Sequence, residues 1–240
     1  MIDLINRLYR KIFCRGGYGV HSPFVFDLIT TVIEEKQLYY CYERLHPVRL
    51  QILQHHREVT IHDDTLSVKK ALKKYCFTEL EDRLLFRLAN RFQPETMLVV
   101  GSDFGLTPLY LTAYSSRSAC IVVEPQPSIA AIAQLYLKEH ASASIDMRNS
   151  FADMPEVLDF VVWGGYDEPF SQQTFERLLP HVHENSVLVI AGINASSNSQ
   201  KTWKTLCTHP KVTVSIDLYR LGILFFNPKL HQSAYINYFT

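Results

Sequence analysis

The residues best suited to chemistry stand at the ends of short apolar runs. The run 97–100 leads into Gly101-Ser102-Asp103-Phe104-Gly105, and a helical pattern opens behind it with Thr107 as N-cap and Pro108 in the first turn. Glycine lets the backbone turn sharply and lets a ligand approach the main chain. A helix N-terminus presents free N–H groups and the positive end of a dipole. Strand, glycine loop and helix in this order therefore suit an anionic or polar ligand lying against backbone. A second run, 120–123, ends in Glu124, twenty-three positions after Gly101. An acid at the end of a neighbouring strand is placed to accept hydrogen bonds from ribose hydroxyls.

Asp103 narrows the ligand. A dinucleotide fingerprint needs glycine there, and a carboxylate would repel a pyrophosphate. No lysine follows the loop, so it is not a P-loop. A G-x-x-x-G loop with an interior acid suits S-adenosylmethionine, which carries an ammonium and a cationic sulfonium. Candidates for a base are His21 in "GVHSPF", Tyr166 and Asp167 after the run 159–163, and His183 before the run 186–190. The last run ends in Ala191-Gly192 and a polar tail of Asn194, Ser196 and Ser197, with no acid.

The elements that position these residues divide the chain near residue 92. Residues 1–92 read as a helical extension, with helices at 24–35 (capped by Ser22 and Pro23), at 39–56 (broken around Pro47) and at 79–92. Ile2, Ile5, Leu8 and Ile12 share one face of a further N-terminal helical stretch. Residues 93–240 alternate β-branched runs with helical patterns, as in a parallel sheet covered on both faces. The runs 211–218 and 222–226 are too close for a crossover helix and predict an antiparallel hairpin. The expected fold is α/β, a Rossmann-like, seven-stranded mixed sheet with one antiparallel strand and helices on both faces.

Composition limits the function classes. The 240 residues are 47% hydrophobic with a formal net charge of zero, so a core is expected and a nucleic-acid partner is not. The five cysteines are widely spaced without a CxxC pair, which points to free thiols in a cytoplasmic protein. No stretch reaches the length of a membrane span, and no membrane partner is expected. A small-molecule substrate is expected, and a homodimer is possible.

The stretches "LVVGSDFGLTPLYL", "IVVEPQP", "LDFVVWGGYD" and "VTVSIDLYRLGILFF" together resemble the class I S-adenosylmethionine-dependent methyltransferases, in particular the small-molecule, catechol O-methyltransferase-like branch. The resemblance implies that Gly101, Ser102, Asp103 and Gly105 hold the methionine part and Glu124 the ribose. It also implies that Ser150 and Phe151 contact adenine and that Gly164 lies beside the cofactor. Two departures matter. The branch carries an Asp where Gly164 stands, and an acid pair where Ala191-Gly192 stand. Hard cations need carboxylate oxygens, so no catalytic metal is expected. Two readings stay open: a metal-independent methyltransferase, or a catalytically silent cofactor-binding or interaction module on the same fold. A nicotinamide-dependent dehydrogenase ranks third, because Asp103 stands where that fold needs glycine.

Overall fold

The computed structural model describes residues 2–61, 64–151, 154–164 and 170–239, with side chains from residue 8 onward. Its first elements are α1 (Ile2–Phe13), α2 (Pro23–Leu28) continuing as a π-turn at Ile29–Ile33, α3 (Tyr40–Leu53), β1 (Glu58–Ile61), β2 (Asp64–Ser67), α4 (Val68–Tyr75) and α5 (Glu79–Phe92). The alternating part follows as β3 (Thr96–Val100), α6 (Leu106–Thr112), β4 (Ala119–Val123), α7 (Pro127–His140), β5 (Ser144–Arg148) and β6 (Leu158–Trp163). The chain ends with α8 (Gln172–Leu178), β7 (Val182–Ala191), α9 (Ser197–Cys207), β8 (Val214–Asp217), β9 (Leu221–Phe225) and β10 (Ser233–Ile236).

Two compact units emerge: Leu38–Pro169, and Met1–Gln37 together with Phe170–Thr240. The first carries β6-β3-β4-β5, all parallel. Its strands are unbroken apolar runs, as sheets covered on both faces require. Val99, Val122, Phe160, Val161 and Val162 are all fully buried. A core of α3, α4, α7 and the glycine-loop residues packs beside them, centred on Leu45, Ile52, Phe104, Tyr110, Ile129 and Ile132. α5 begins at a full capping box, in which Thr78 and Glu81 satisfy each other's backbone N–H groups.

The second unit carries β10-β8-β9-β7. β9 runs antiparallel to both β7 and β8, which makes it the one reversed strand, and β10 runs parallel to β8. The expected hairpin is thus present as β8 and β9.

Several expectations are corrected. Among the described residues these two sets hold eight strands, β3 to β10, not seven. The extra one, β10, has four residues of alternating, partial exposure, too short to register as a run. The N-terminal extension is not wholly helical, since β1 and β2 pair as an antiparallel hairpin at 58–67. Pro47 does not break its helix. α3 runs through it because Leu45, Val48 and Ile52 are buried on both sides of the proline, and their packing outweighs a cost of about 3 kcal/mol. Thr107 is not an N-cap. α6 starts two residues earlier, at Leu106 behind the N-cap Gly105, which leaves the Thr107 hydroxyl for other partners.

Gly222 in β9 lies under the ring of Trp203 from α9, where an added Cβ would collide with the indole. Gly222→Ala should therefore lower unfolding stability by about 1–3 kcal/mol in urea titrations. A neutral effect would mean that α9 is free to shift.

Candidate functional site

The glycine loop is wound left-handed. Gly101 has φ +85°, Asp103 +48°, Phe104 +58° and Gly105 +92°. A non-glycine residue in this region costs roughly 1–2 kcal/mol. Two in succession persist only where surrounding contacts over-determine them. Phe104 supplies one such contact, being fully buried. At Gly105 an added Cβ would lie 3.2 Å from the Ala133 carbonyl of α7, tighter than an ordinary van der Waals contact, and the φ of +92° favours glycine there as well.

Two carboxylates complete the hold. Glu124, 1% exposed, accepts from Ser102 N at 2.9 Å and from Ser102 Oγ at 2.7 Å. Its other oxygen accepts from Gln126 N at 3.1 Å. Asp103 turns inward and accepts from Phe77 N at 2.8 Å. Thr107 Oγ1 lies 3.1 Å from Asp103 and 2.9 Å from Asp82. Arg49 pairs with Asp82 and also donates to the Phe77 carbonyl.

This cluster has one guanidinium for two fully buried carboxyls. Burial pushes Asp82 up to about 8, with Asp103 adding repulsion and Arg49 opposing it. Burial likewise pushes Asp103 up to about 7, opposed by its hydrogen bonds to Phe77 and Thr107. Thr107 has one proton to donate and touches both carboxyls. Asp103 Oδ1 is buried with no hydrogen-bond partner, which a bare carboxylate oxygen tolerates poorly. Both carboxyls therefore keep their protons to higher pH than a free aspartic acid does, Asp82 further than Asp103 despite its Arg49 contact.

At the carboxyl ends of β4 and β5, Glu124, Arg148, Asn149, Ser150, Met147 and Gln134 line a cleft of about 480 Å³. Phe151 follows, its ring 5.2 Å from that of Trp163. Gly164 extends β6, its N–H donating to Val100 O at 2.9 Å. An added Cβ there would lie 2.7 Å from the Phe77 ring. Phe77 thus fills the space that an acidic side chain at 164 would need.

The unit Leu38–Pro169 accordingly brings together Gly101, Ser102, Asp103, Gly105, Glu124, Ser150, Phe151 and Gly164. Tyr166 and Asp167 lie outside the described residues. His21 and His183 belong to the other unit. His21 is exposed in the turn before the Ser22 cap of α2. His183 stands at the amino end of β7, eight residues and roughly 26 Å from Ala191 along the strand. Ligands of open α/β sheets bind at carboxyl ends. The polar tail after β7 is spent on structure: Asn194 donates to Tyr219 O at 2.8 Å, and Ser196 caps α9 through Ser199 N at 3.0 Å.

Sequence reasoning missed Arg49, Phe77, Asp82 and the role of Thr107. One signal was available. Asp82, Leu85, Phe86 and Ala89 fall on one face of α5, so a carboxylate sat on a buried stripe.

No protein-family model and no curated protein matches the sequence. Solved structures do match in fold. An O-methyltransferase from Bacillus cereus in complex with S-adenosylhomocysteine superposes with TM-score 0.56 at 14% identity, covering 84% of this chain and 97% of that one. A methyltransferase from Podospora anserina, bound to the same molecule, gives 0.55 at 10% identity, with 80% and 99% covered. The O-methyltransferase TomG from Streptomyces achromogenes, in complex with S-adenosylmethionine, gives 0.53 at 16%, with 79% and 100% covered. The chain has the Rossmann-like fold of these enzymes.

Raised folded-state pKa values make stability fall as pH rises. The contribution of the Asp82–Asp103 pair is complete below the unfolded value near 4 and is lost on the way up to about 7–8. Urea titrations should show stability dropping by roughly 1 kcal/mol per pH unit over part of that window. Asp103→Asn keeps an acceptor for Phe77 N and should flatten the slope. An unchanged slope in the variant would assign the titration elsewhere.

Proposed function

We propose that the protein binds S-adenosylmethionine and transfers its methyl group to a small molecule without a metal. The observation that carries this reading is the left-handed glycine loop at the carboxyl end of β3, held by Glu124 from the end of β4, beside a cleft edged by Asn149 and Ser150. The donor set fits the cofactor. Glu124 offers a carboxylate near ribose hydroxyls, Asn149 and Ser150 offer amide and hydroxyl groups to a base, and the loop offers backbone. The fold shared with structures holding S-adenosylmethionine or S-adenosylhomocysteine supports the same ligand.

When bound, this cofactor supplies an electrophilic methyl group on a sulfonium. The residues of the chain bind and align. Gly101, Ser102 and Gly105 carry the methionine part on main chain, and Asp103 acts through the shape of the loop, since its carboxyl is engaged by Phe77 and Thr107. Alignment alone accelerates a bimolecular step by many orders of magnitude. Metal independence rests on residue types: Gly164, Ala191 and Gly192 offer no carboxylate, and Phe77 covers Gly164. A small-molecule acceptor rather than a nucleic acid follows from the neutral charge. The free cysteines suit a reducing compartment such as the cytoplasm.

A second reading is favoured by one observation, the Phe77 ring over Gly164. A site closed in this way also suits a module that binds the cofactor and does not turn it over.

Calorimetric titration of S-adenosylmethionine and S-adenosylhomocysteine, with NAD⁺ as control, tests the binding step. Binding of the first two in the micromolar range, and none of NAD⁺, is expected. Glu124→Ala should weaken it by about 1–3 kcal/mol through loss of the Ser102 clamp. Methyl incorporation from labelled cofactor into an acceptor library separates enzyme from silent module, and a chelator should leave any turnover unchanged. Chelator-sensitive turnover would reject metal independence.

A further inference from the structure

Among the described side chains of α1, residues 8–13, the buried one carries a charge. An amphipathic helix ordinarily buries its apolar stripe and exposes its charges. Here Arg10 is the buried side chain, 5% exposed, and forms a two-pronged pair with Asp217 of β8 at 2.7 and 2.9 Å. Its guanidinium also stacks over the Tyr219 ring at 5.3 Å. The backbone just after the helix is tied down by the bond from Tyr238 N to Cys14 O at 2.7 Å. The described apolar side chains are outward: Leu8, Tyr9, Ile12 and Phe13 are each 57–61% exposed, and Tyr18 beyond the helix is 89% exposed. Tyr9 and Phe13 pack against each other at 5.1 Å and make a continuous aromatic ridge.

Charge selects the partner. The first fifteen residues carry Arg7, Arg10, Lys11 and Arg15 against the single acid Asp3, in a chain whose formal net charge is zero. Arg10 is neutralised by Asp217, and Lys11 is exposed at the edge of the apolar ridge. An apolar, aromatic ridge flanked by basic side chains complements an anionic lipid surface, where rings sit at headgroup level and bases meet phosphates. A second copy of the chain fits less well. A helix of twelve residues is about 18 Å long, which falls short of the roughly 800 Å² per partner of a stable interface. Two copies meeting through it would also juxtapose like charges. Nor is it a span, because no described helix is long and apolar enough to cross a membrane.

We propose that α1 docks the protein in the plane of an anionic bilayer, with Leu8, Tyr9, Ile12 and Phe13 entering the headgroup boundary and Lys11 and Arg15 contacting lipid phosphates. This departs from the expectation of no membrane partner and is independent of the methyl-transfer reading.

Co-sedimentation of the full chain with vesicles tests it. Vesicles of phosphatidylcholine containing phosphatidylglycerol should pellet the protein, and phosphatidylcholine alone should not. Raising salt to about 0.5 M should weaken the binding, because the charges act near the surface. Ile12→Glu with Phe13→Glu should reduce binding at least about tenfold, and Lys11→Glu by a smaller factor. These side chains are exposed, so the circular dichroism spectrum and the melting temperature should stay unchanged and show that each variant is folded. Failure of anionic vesicles to pellet the protein, or equal binding by the folded Ile12→Glu/Phe13→Glu variant, would overturn the proposal. A dimer in sedimentation equilibrium that this variant dissociates, without vesicle binding by the parent, would overturn it in favour of a second copy.

Discussion

A backbone turn that the chain would not hold by itself sits at the centre of the candidate site. Between β3 and α6 the main chain passes through Asp103, Phe104 and Gly105 with positive φ, and only the last is glycine. Strain of this kind persists because neighbouring groups hold it. Three holds converge on it. Glu124 takes both the N–H and the hydroxyl of Ser102, Asp103 takes the N–H of Phe77, and the Phe104 ring is sealed in the core. Loop shape, and hence any backbone surface offered to a ligand, depends on these contacts.

The same holds explain the electrostatics. Drawing Asp103 inward sets it beside Asp82, with one arginine for the two. Burial pushes both carboxyls up, and Thr107 bridges the pair. A buried network of this type is costly to break at any member, because each removal leaves an unpaired polar group. Phe77 links the network to the end of β6: its N–H fixes Asp103 and its ring covers Gly164. The absence of an acid at 164 is thus coupled to packing, since a larger side chain would have to displace that ring.

In the unit that carries the chain ends, polar residues at a strand terminus serve the fold. Asn194 and Ser196 follow the carboxyl end of β7, a position often used for catalysis, yet one holds a turn carbonyl and the other caps a helix. Gly192 has φ +69° and donates to Arg220 O at 2.7 Å, which turns the chain toward α9. Arg10, drawn inward by Asp217, sets which face of α1 meets solvent. The bond from Tyr238 N to Cys14 O ties the chain just beyond that helix.

Much was legible in the sequence because it is local. β-branched runs, the Ser22-Pro23 helix start, the glycine loop and the short gap before β9 report on neighbours within a few residues, and from them follow the α/β class, the strand sites and the antiparallel hairpin. The spacing of Gly101 and Glu124 likewise foretold two adjacent strand ends. What tertiary structure alone decided is where charged side chains point. Asp103, Thr107 and Asp82 lie up to 25 positions apart, and Arg10 and Asp217 are separated by 207, so no periodicity couples them. The inward turn of Asp103 and the burial of Arg10 each set a polar side chain against a partner distant along the chain, the Phe77 N–H for one and Asp217 for the other.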